Sequence, residues 1–236
     1  MRHQTLRTIQ RYLAVISFIS VIGMAMVTLR LFGYDLPNLL QLVPAGTFGP
    51  FFNREIALVS GHAGYDSGAI CVDANGVTTV TEAAINAAIT QRVAQRLRRN
   101  GALVTVLDEF DERLPDLQAD LLLSFHSDSC IEASGYKTAY ATNAAVVVAT
   151  TKLSNCFDRH YAPMTELAWH PDTITHDMTD YHVFREVAST TPALILEMGF
   201  IGGDQQLLLQ HPNTVAAGIT ESIRCFFEKE TEVETE

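Results

Sequence analysis

Residues 81–108, "TEAAINAAITQRVAQRLRRNGALVTVLD", decide the fold. Ala84, Ile85, Ala88, Ile89, Val93 and Leu97 recur every three to four residues, so one apolar stripe runs along a helix. Arg96, Arg98 and Arg99 crowd its last turns, where the negative end of the helix favours positive charge, and Gly101 follows as a stop. The next residues, "ALVTVLD", read at once as a strand. Working outward, "EIALVS" (55–60), "ADLLLSFHS" (119–127) and "PALILEMGF" (192–200) are further continuous apolar runs, the composition of strands buried on both faces. Helical segments fit at 144–161 and 214–227. Strands alternating with helices predict an α/β domain, a three-layer αβα arrangement around a mostly parallel central sheet.

The chain has 236 residues, of which 47% are hydrophobic, enough for one full domain core plus additional segments. Its formal net charge of -11 speaks against nucleic acid as a partner, because that binding depends on clustered Lys and Arg releasing counterions. The N-terminus differs in kind. Arg2, Arg7 and Arg11 precede "YLAVISFISVIGMAMVTL" (12–29), an uncharged run long enough to cross most of the roughly 30 Å hydrocarbon layer. The expected organisation is a basic cytoplasmic stretch (1–11), a single transmembrane signal-anchor (12–32), a linker containing Pro37, Pro44 and Pro50 (33–53), a folded domain (54–227) and an acidic tail (228–236). A cleaved signal peptide is the alternative for the apolar run, but no small-residue cleavage site follows it.

In an open α/β sheet, functional groups gather at the carboxyl ends of strands. Three such ends carry candidates: His62 in "ALVSGHAGYDSG" (57–68), His126 in "LLLSFHS" and Glu197 in "ALILEMGF". A fourth, Glu82, opens the long helix. Two imidazoles and a carboxylate form the ligand set of many hydrolytic zinc sites, and a remaining carboxylate can move protons. Each residue also has a plainer reading. Glu82 suits the first turn of any helix, and a lone strand-end histidine commonly has a purely structural hydrogen bond. Glu197 interrupts a buried apolar run, where an unpartnered carboxylate costs several kcal/mol; a nearby metal or an ion pair with Lys or Arg would offset that cost. Asp66 and Ser67 suit turn formation. His176 and His182, in the loop "PDTITHDMTDYHVF" (171–184), either wall the cleft and contact substrate or are ordinary surface histidines.

Four motifs, "SGHAGYDSGA" (60–69), "TEAAINAAITQRVAQRL" (81–97), "LLLSFHSDS" with "GYKTAY" (121–140) and "TPALILEMGFIGGDQQLL" (191–208), occur in an order that resembles the zinc-dependent N-acetylmuramoyl-L-alanine amidases of bacterial cell-wall turnover, the amidase_3 group. The resemblance spans about 55–227. It implies that His62, Glu82 and His126 hold one zinc ion (Zn2+) and that Glu197 is the catalytic glutamate. The implied substrate is peptidoglycan, cut between N-acetylmuramic acid and L-alanine; the N-terminal run, with its arginines cytoplasmic, places the enzyme as membrane-anchored with its catalytic domain extracytoplasmic. Ala63, Asp128 and the asparagine-free "GFIGGD" depart from the pattern, and Asp128 joins His176 and His182 as a candidate substrate contact. If one metal gathers both histidines, Cys71 and Cys130 lie in neighbouring loops, so a Cys71–Cys130 disulfide is expected, with Cys156–Cys225 as the second pair. A zinc peptidase cutting within the stem peptide and a non-catalytic peptidoglycan-binding domain are the alternatives. The sequence identifies no protein activator.

Overall fold

A computed structural model of the chain describes residues 49–228, together with scattered helical positions between 13 and 31. The chain divides into two units, Met1–Phe48 and Gly49–Glu236. Among the described residues, no helix is long and apolar enough to cross a membrane. The basic stretch 1–11, the linker up to 48 and the tail from 229 lie outside the described residues, and the expected span at 12–32 is described only at scattered positions.

The second unit is built on a five-stranded sheet. Its strands are β1 (Glu55–Ser60), β4 (Leu103–Leu107), β5 (Leu121–Asp128), β6 (Lys137–Tyr140) and β7 (Ala193–Phe200), in the order β4-β1-β5-β7-β6. All pairings are parallel except that of β6 with β7. A separate antiparallel hairpin, β2 (Ile70–Val72) and β3 (Thr78–Thr81), leads directly into helix α1 (Glu82–Arg99). Side chains alternate across the strands, and both sets are buried. Ile56, Leu58, Leu123, Phe125, Leu194 and Leu196 meet Ile85, Ile89, Val93 and Leu97 of α1 and Val215, Ile219 and Ile223 of the C-terminal helix Pro212–Phe227. Ala57, Val59, Leu122 and Ile195 face the other way, onto Leu114, Val146, Met178, Tyr181 and Val183.

This second face is covered more thinly than a regular three-layer sandwich. The β4–β5 connection has no helix, and the layer consists of that loop with two one-turn helices, His176–Thr179 and His182–Glu186. Helix α2 (Val147–Cys156) starts three residues later than expected and continues as a π-helical turn, Phe157–Tyr161. Helices α3 (Ala162–Thr165), α4 (His176–Thr179), α5 (His182–Glu186), α6 (Gln205–Gln210) and α7 (Pro212–Phe227) complete the chain. Helix α7 begins two residues before the expected 214, with Pro212 at the first helical position, where its missing N–H leaves nothing unsatisfied. The expected linker also ends early: Phe51 is buried in the core, edge-on to Phe227 at 6.5 Å.

Two disulfides cross-link the unit. Cys71–Cys130 ties β2 to the loop after β5, and Cys156–Cys225 ties α2 to α7.

Candidate active site

Local chemistry places each functional side chain. The Thr81 side chain caps α1 by accepting from the Ala84 N–H, so Glu82 becomes the first helical residue at the mouth of the sheet. Its carboxylate is fixed from several sides: Oε2 accepts from the Ala69 N–H at 2.9 Å, and Oε1 from the Ser127 N–H at 3.2 Å. At the end of β1, Gly61 lies so close to His126 that a Cβ there would sit 2.5 Å from its Nε2. His62 follows in the left-handed region, φ 64°, which turns its ring back over the sheet edge. His126 enters from β5, and its neighbour across the ladder is Glu197 of β7.

Glu82 Oε1 lies 3.2 Å from His62 Nε2 and 3.0 Å from His126 Nδ1, and the two rings are edge-on with centroids 5.0 Å apart. One ligand atom from each of His62, Glu82 and His126 lies within 4.8 Å of the others, a group able to hold a metal ion. Burial opposes a charge on Glu82, yet hydrogen bonds from His126 and His62 hold its carboxyl well below the usual carboxylate range. His126 is the counterpart: burial disfavours its charge, but hydrogen bonds to Glu109 and Glu82 push it up to about 10. Glu197 behaves differently. Its Oε2 is buried without a hydrogen-bond partner, and burial, opposed by the charge of His126, pushes the carboxyl up to about 7. A buried carboxylate oxygen without a hydrogen-bond partner thus lies beside the His–Glu–His cluster. His62, His126 and Glu197 open together into a cleft of 410 Å³, which Tyr65, Phe110 and Tyr181 also line.

The remaining candidates are placed otherwise. Asp128 is bound to the ammonium of buried Lys137, which also donates to the Thr173 carbonyl at 3.1 Å, so its carboxylate is occupied by a structural pair. His176 is exposed at the start of α4; the cleft takes Thr175, Asp177 and Met178 from this stretch instead. His182 stands near the site, but its two nitrogens bond Glu109 at 3.0 Å and Glu186 at 2.8 Å. Asp66 makes the expected turn by accepting from the Gly68 N–H at 2.9 Å, and it also holds His62 Nδ1 at 2.5 Å. Glu109 and Tyr181 went unseen in the sequence. Glu109 lies in the acidic run "DEFDER" (108–113) and Tyr181 in a loop without periodicity, and neither stretch carries a signal for its role.

Comparison with known proteins agrees with this geometry. Residues 56–225 match the family model Amidase_3, N-acetylmuramoyl-L-alanine amidase. Comparison with curated proteins finds none that matches. Among solved structures, the fold is similar to the CwlD amidase of Clostridioides difficile, solved in complex with the GerS lipoprotein (20% identity, TM-score 0.57, covering 74% of this chain and 98% of that one). It is also similar to Ami1 of Mycobacterium smegmatis (15%, 0.58, 75% and 98%) and to the CwlV catalytic domain of Bacillus (Paenibacillus) polymyxa var. colistinus (22%, 0.52, 72% and 96%). With the family model covering most of the chain, the protein belongs to the N-acetylmuramoyl-L-alanine amidase family and is a peptidoglycan amidase.

Proposed function

We propose that this amidase works through one zinc ion held by His62, Glu82 and His126, with Glu197 as the proton carrier. The observation that carries the reading is the partnerless Glu197 Oε2 beside the three-residue cluster, at the floor of an open cleft. Zinc bound there would polarise the scissile carbonyl and acidify water. The Glu197 carboxylate takes a proton from water as its oxygen adds to the carbonyl carbon linked to N-acetylmuramic acid. As the C–N bond breaks, Glu197 returns that proton to the departing amine of L-alanine. A carboxyl raised to about 7 by burial suits both halves of the exchange near neutral pH.

Replacing Glu197 with Gln should leave zinc content at the wild-type level and slow release of stem peptides from purified peptidoglycan by about 10²- to 10⁴-fold, read by mass spectrometry. Wild-type turnover by E197Q would overturn the assignment. Products cut inside the stem would instead identify a peptidase.

The anchor reading rests on the uncharged run 12–29 behind Arg2, Arg7 and Arg11, and two disulfides accord with an oxidising, extracytoplasmic setting. Carbonate washing of membranes followed by protease treatment of intact cells tests it. A protein released by carbonate has no spanning anchor.

A further inference from the structure

We infer that Glu109 is a positioning residue of the metal site, its carboxylate fixing both histidine ligands, His62 through the main chain and His126 through its outer ring nitrogen. The inference rests on the zinc reading above. Glu109 is the second residue after β4 and is only 5% exposed. Burying a carboxylate so deeply is costly unless donors converge on it, and here three do, with the cationic ring of His126 close by. Oε2 accepts from the His62 N–H at 2.8 Å and faces His126 Nε2 at 3.5 Å, while Oε1 accepts from the Tyr181 hydroxyl at 2.7 Å and lies 3.0 Å from His182 Nε2.

The two contacts to ligand residues do different things. His62 occupies the left-handed backbone region, which is unfavourable for a non-glycine residue, and its N–H pointing into a buried carboxylate holds it there. His126 turns Nδ1 to Glu82 at 3.0 Å, and its Nε2 faces the Tyr181 hydroxyl at 3.3 Å and Glu109 at 3.5 Å. A metal held together with Glu82 is therefore on the Nδ1 side, leaving Glu109 as the carboxylate behind the ring. Asp66 stands in the same relation to His62, 2.5 Å from Nδ1 while Nε2 faces Glu82. Each histidine thus has a carboxylate on its far side, the arrangement that sets tautomer and ring orientation in metal sites. Glu109 is itself braced: His182 bridges it to Glu186 and stacks on Phe110, with centroids 4.3 Å apart. Through these contacts His182 supports Glu109.

The test measures zinc affinity of the full chain by competition with a chromogenic chelator, alongside the thermal midpoint of the metal-free protein. Glu109→Gln should bind zinc about 10- to 100-fold more weakly, with a metal-free midpoint close to wild type, whereas Glu112→Gln on the exposed part of the same loop should bind normally. If Glu109 only anchored its loop, the midpoint would fall and zinc affinity would stay within twofold of wild type, which would overturn the inference. Should E109Q fail to fold, Glu109→Asp decides: it keeps the charge but draws the carboxylate back from the His62 N–H and the His126 ring and should weaken zinc several-fold, and wild-type affinity there also overturns the proposal. A wild-type chain that binds no zinc removes the metal reading and this inference together.

Discussion

Raising the pH should tighten zinc binding, and His126 sets by how much. Both of its ring nitrogens face carboxylates, Nδ1 at 3.0 Å from Glu82 and Nε2 at 3.5 Å from Glu109, with the Tyr181 hydroxyl also 3.3 Å from Nε2. Only the imidazolium carries a proton on each nitrogen to meet both. Burial opposes that charge, but the two carboxylates win and push the group up to about 10. A ligating nitrogen must be free of its proton, so zinc binding at pH 7 has to displace one held about three pH units too tightly. At about 1.36 kcal/mol per unit, the penalty on zinc affinity at neutrality is about 4 kcal/mol. The apparent dissociation constant should therefore fall about tenfold per pH unit from 6.5 to 9, and His62, raised by its hydrogen bond to Glu82, adds to the slope. Chelator competition across this range gives the slope, and calorimetry in buffers of different ionisation enthalpy counts the proton released. The same shift has a stability consequence of definite sign. The folded, metal-free protein holds a proton that the unfolded chain loses near pH 6.5, so this contribution is complete below 6.5 and is lost as pH rises towards about 10. A dissociation constant flat with pH, with no proton released, would refute the charge assignment and with it the view that Glu82 and Glu109 clamp His126 from both sides.

Two further outcomes follow from close approaches and cross-links. Gly68 has φ +59°, and a Cβ there would lie 2.5 Å from Glu82 Oε2 and 2.7 Å from His62 Cδ2. Gly68→Ala should push two ligands apart and weaken zinc by at least about tenfold, an effect of the size expected when ligand orientation is disturbed; equilibrium dialysis that recovers wild-type zinc would contradict the geometry. The Cys71–Cys130 bond spans 59 residues, so removing it with Cys71→Ser should cost about 4 kcal/mol in chain entropy. The thermal midpoint should then drop by roughly 8–16 °C, measured by circular dichroism, and an unchanged midpoint would mean that this bond does not constrain the unfolded chain.

Much of the sheet is legible because strands buried on both faces need apolar residues at every position. Runs such as "LLLSF" and "ALIL" have no other economical place in a soluble domain. The edge strand β6 is harder to see. "KTAY" puts Lys137 in the ladder opposite Glu197, and a buried lysine makes sense only once Asp128 and the Thr173 carbonyl are brought to it by tertiary structure. Asp128, which its strand-end position marks as a candidate substrate contact, gains Lys137 as a partner only through the fold.

The ligands and their supports differ in legibility on the same physical ground. His62, His126 and Glu197 sit at the ends of apolar strands and Glu82 at a capped helix start, places that local pattern alone can locate. Glu109 sits among four acidic residues in six, where every neighbour is an equally plausible solvated charge. What separates it from Asp108 or Glu112 is burial and four converging groups, three of them donors, drawn from the turn after β1, from β5, and from Tyr181 and His182 at the start of α5. Those groups are 17 to 73 residues away along the chain. A metal ligand can be marked by its position on one element, but a residue that orients ligands is defined by what several elements bring to it.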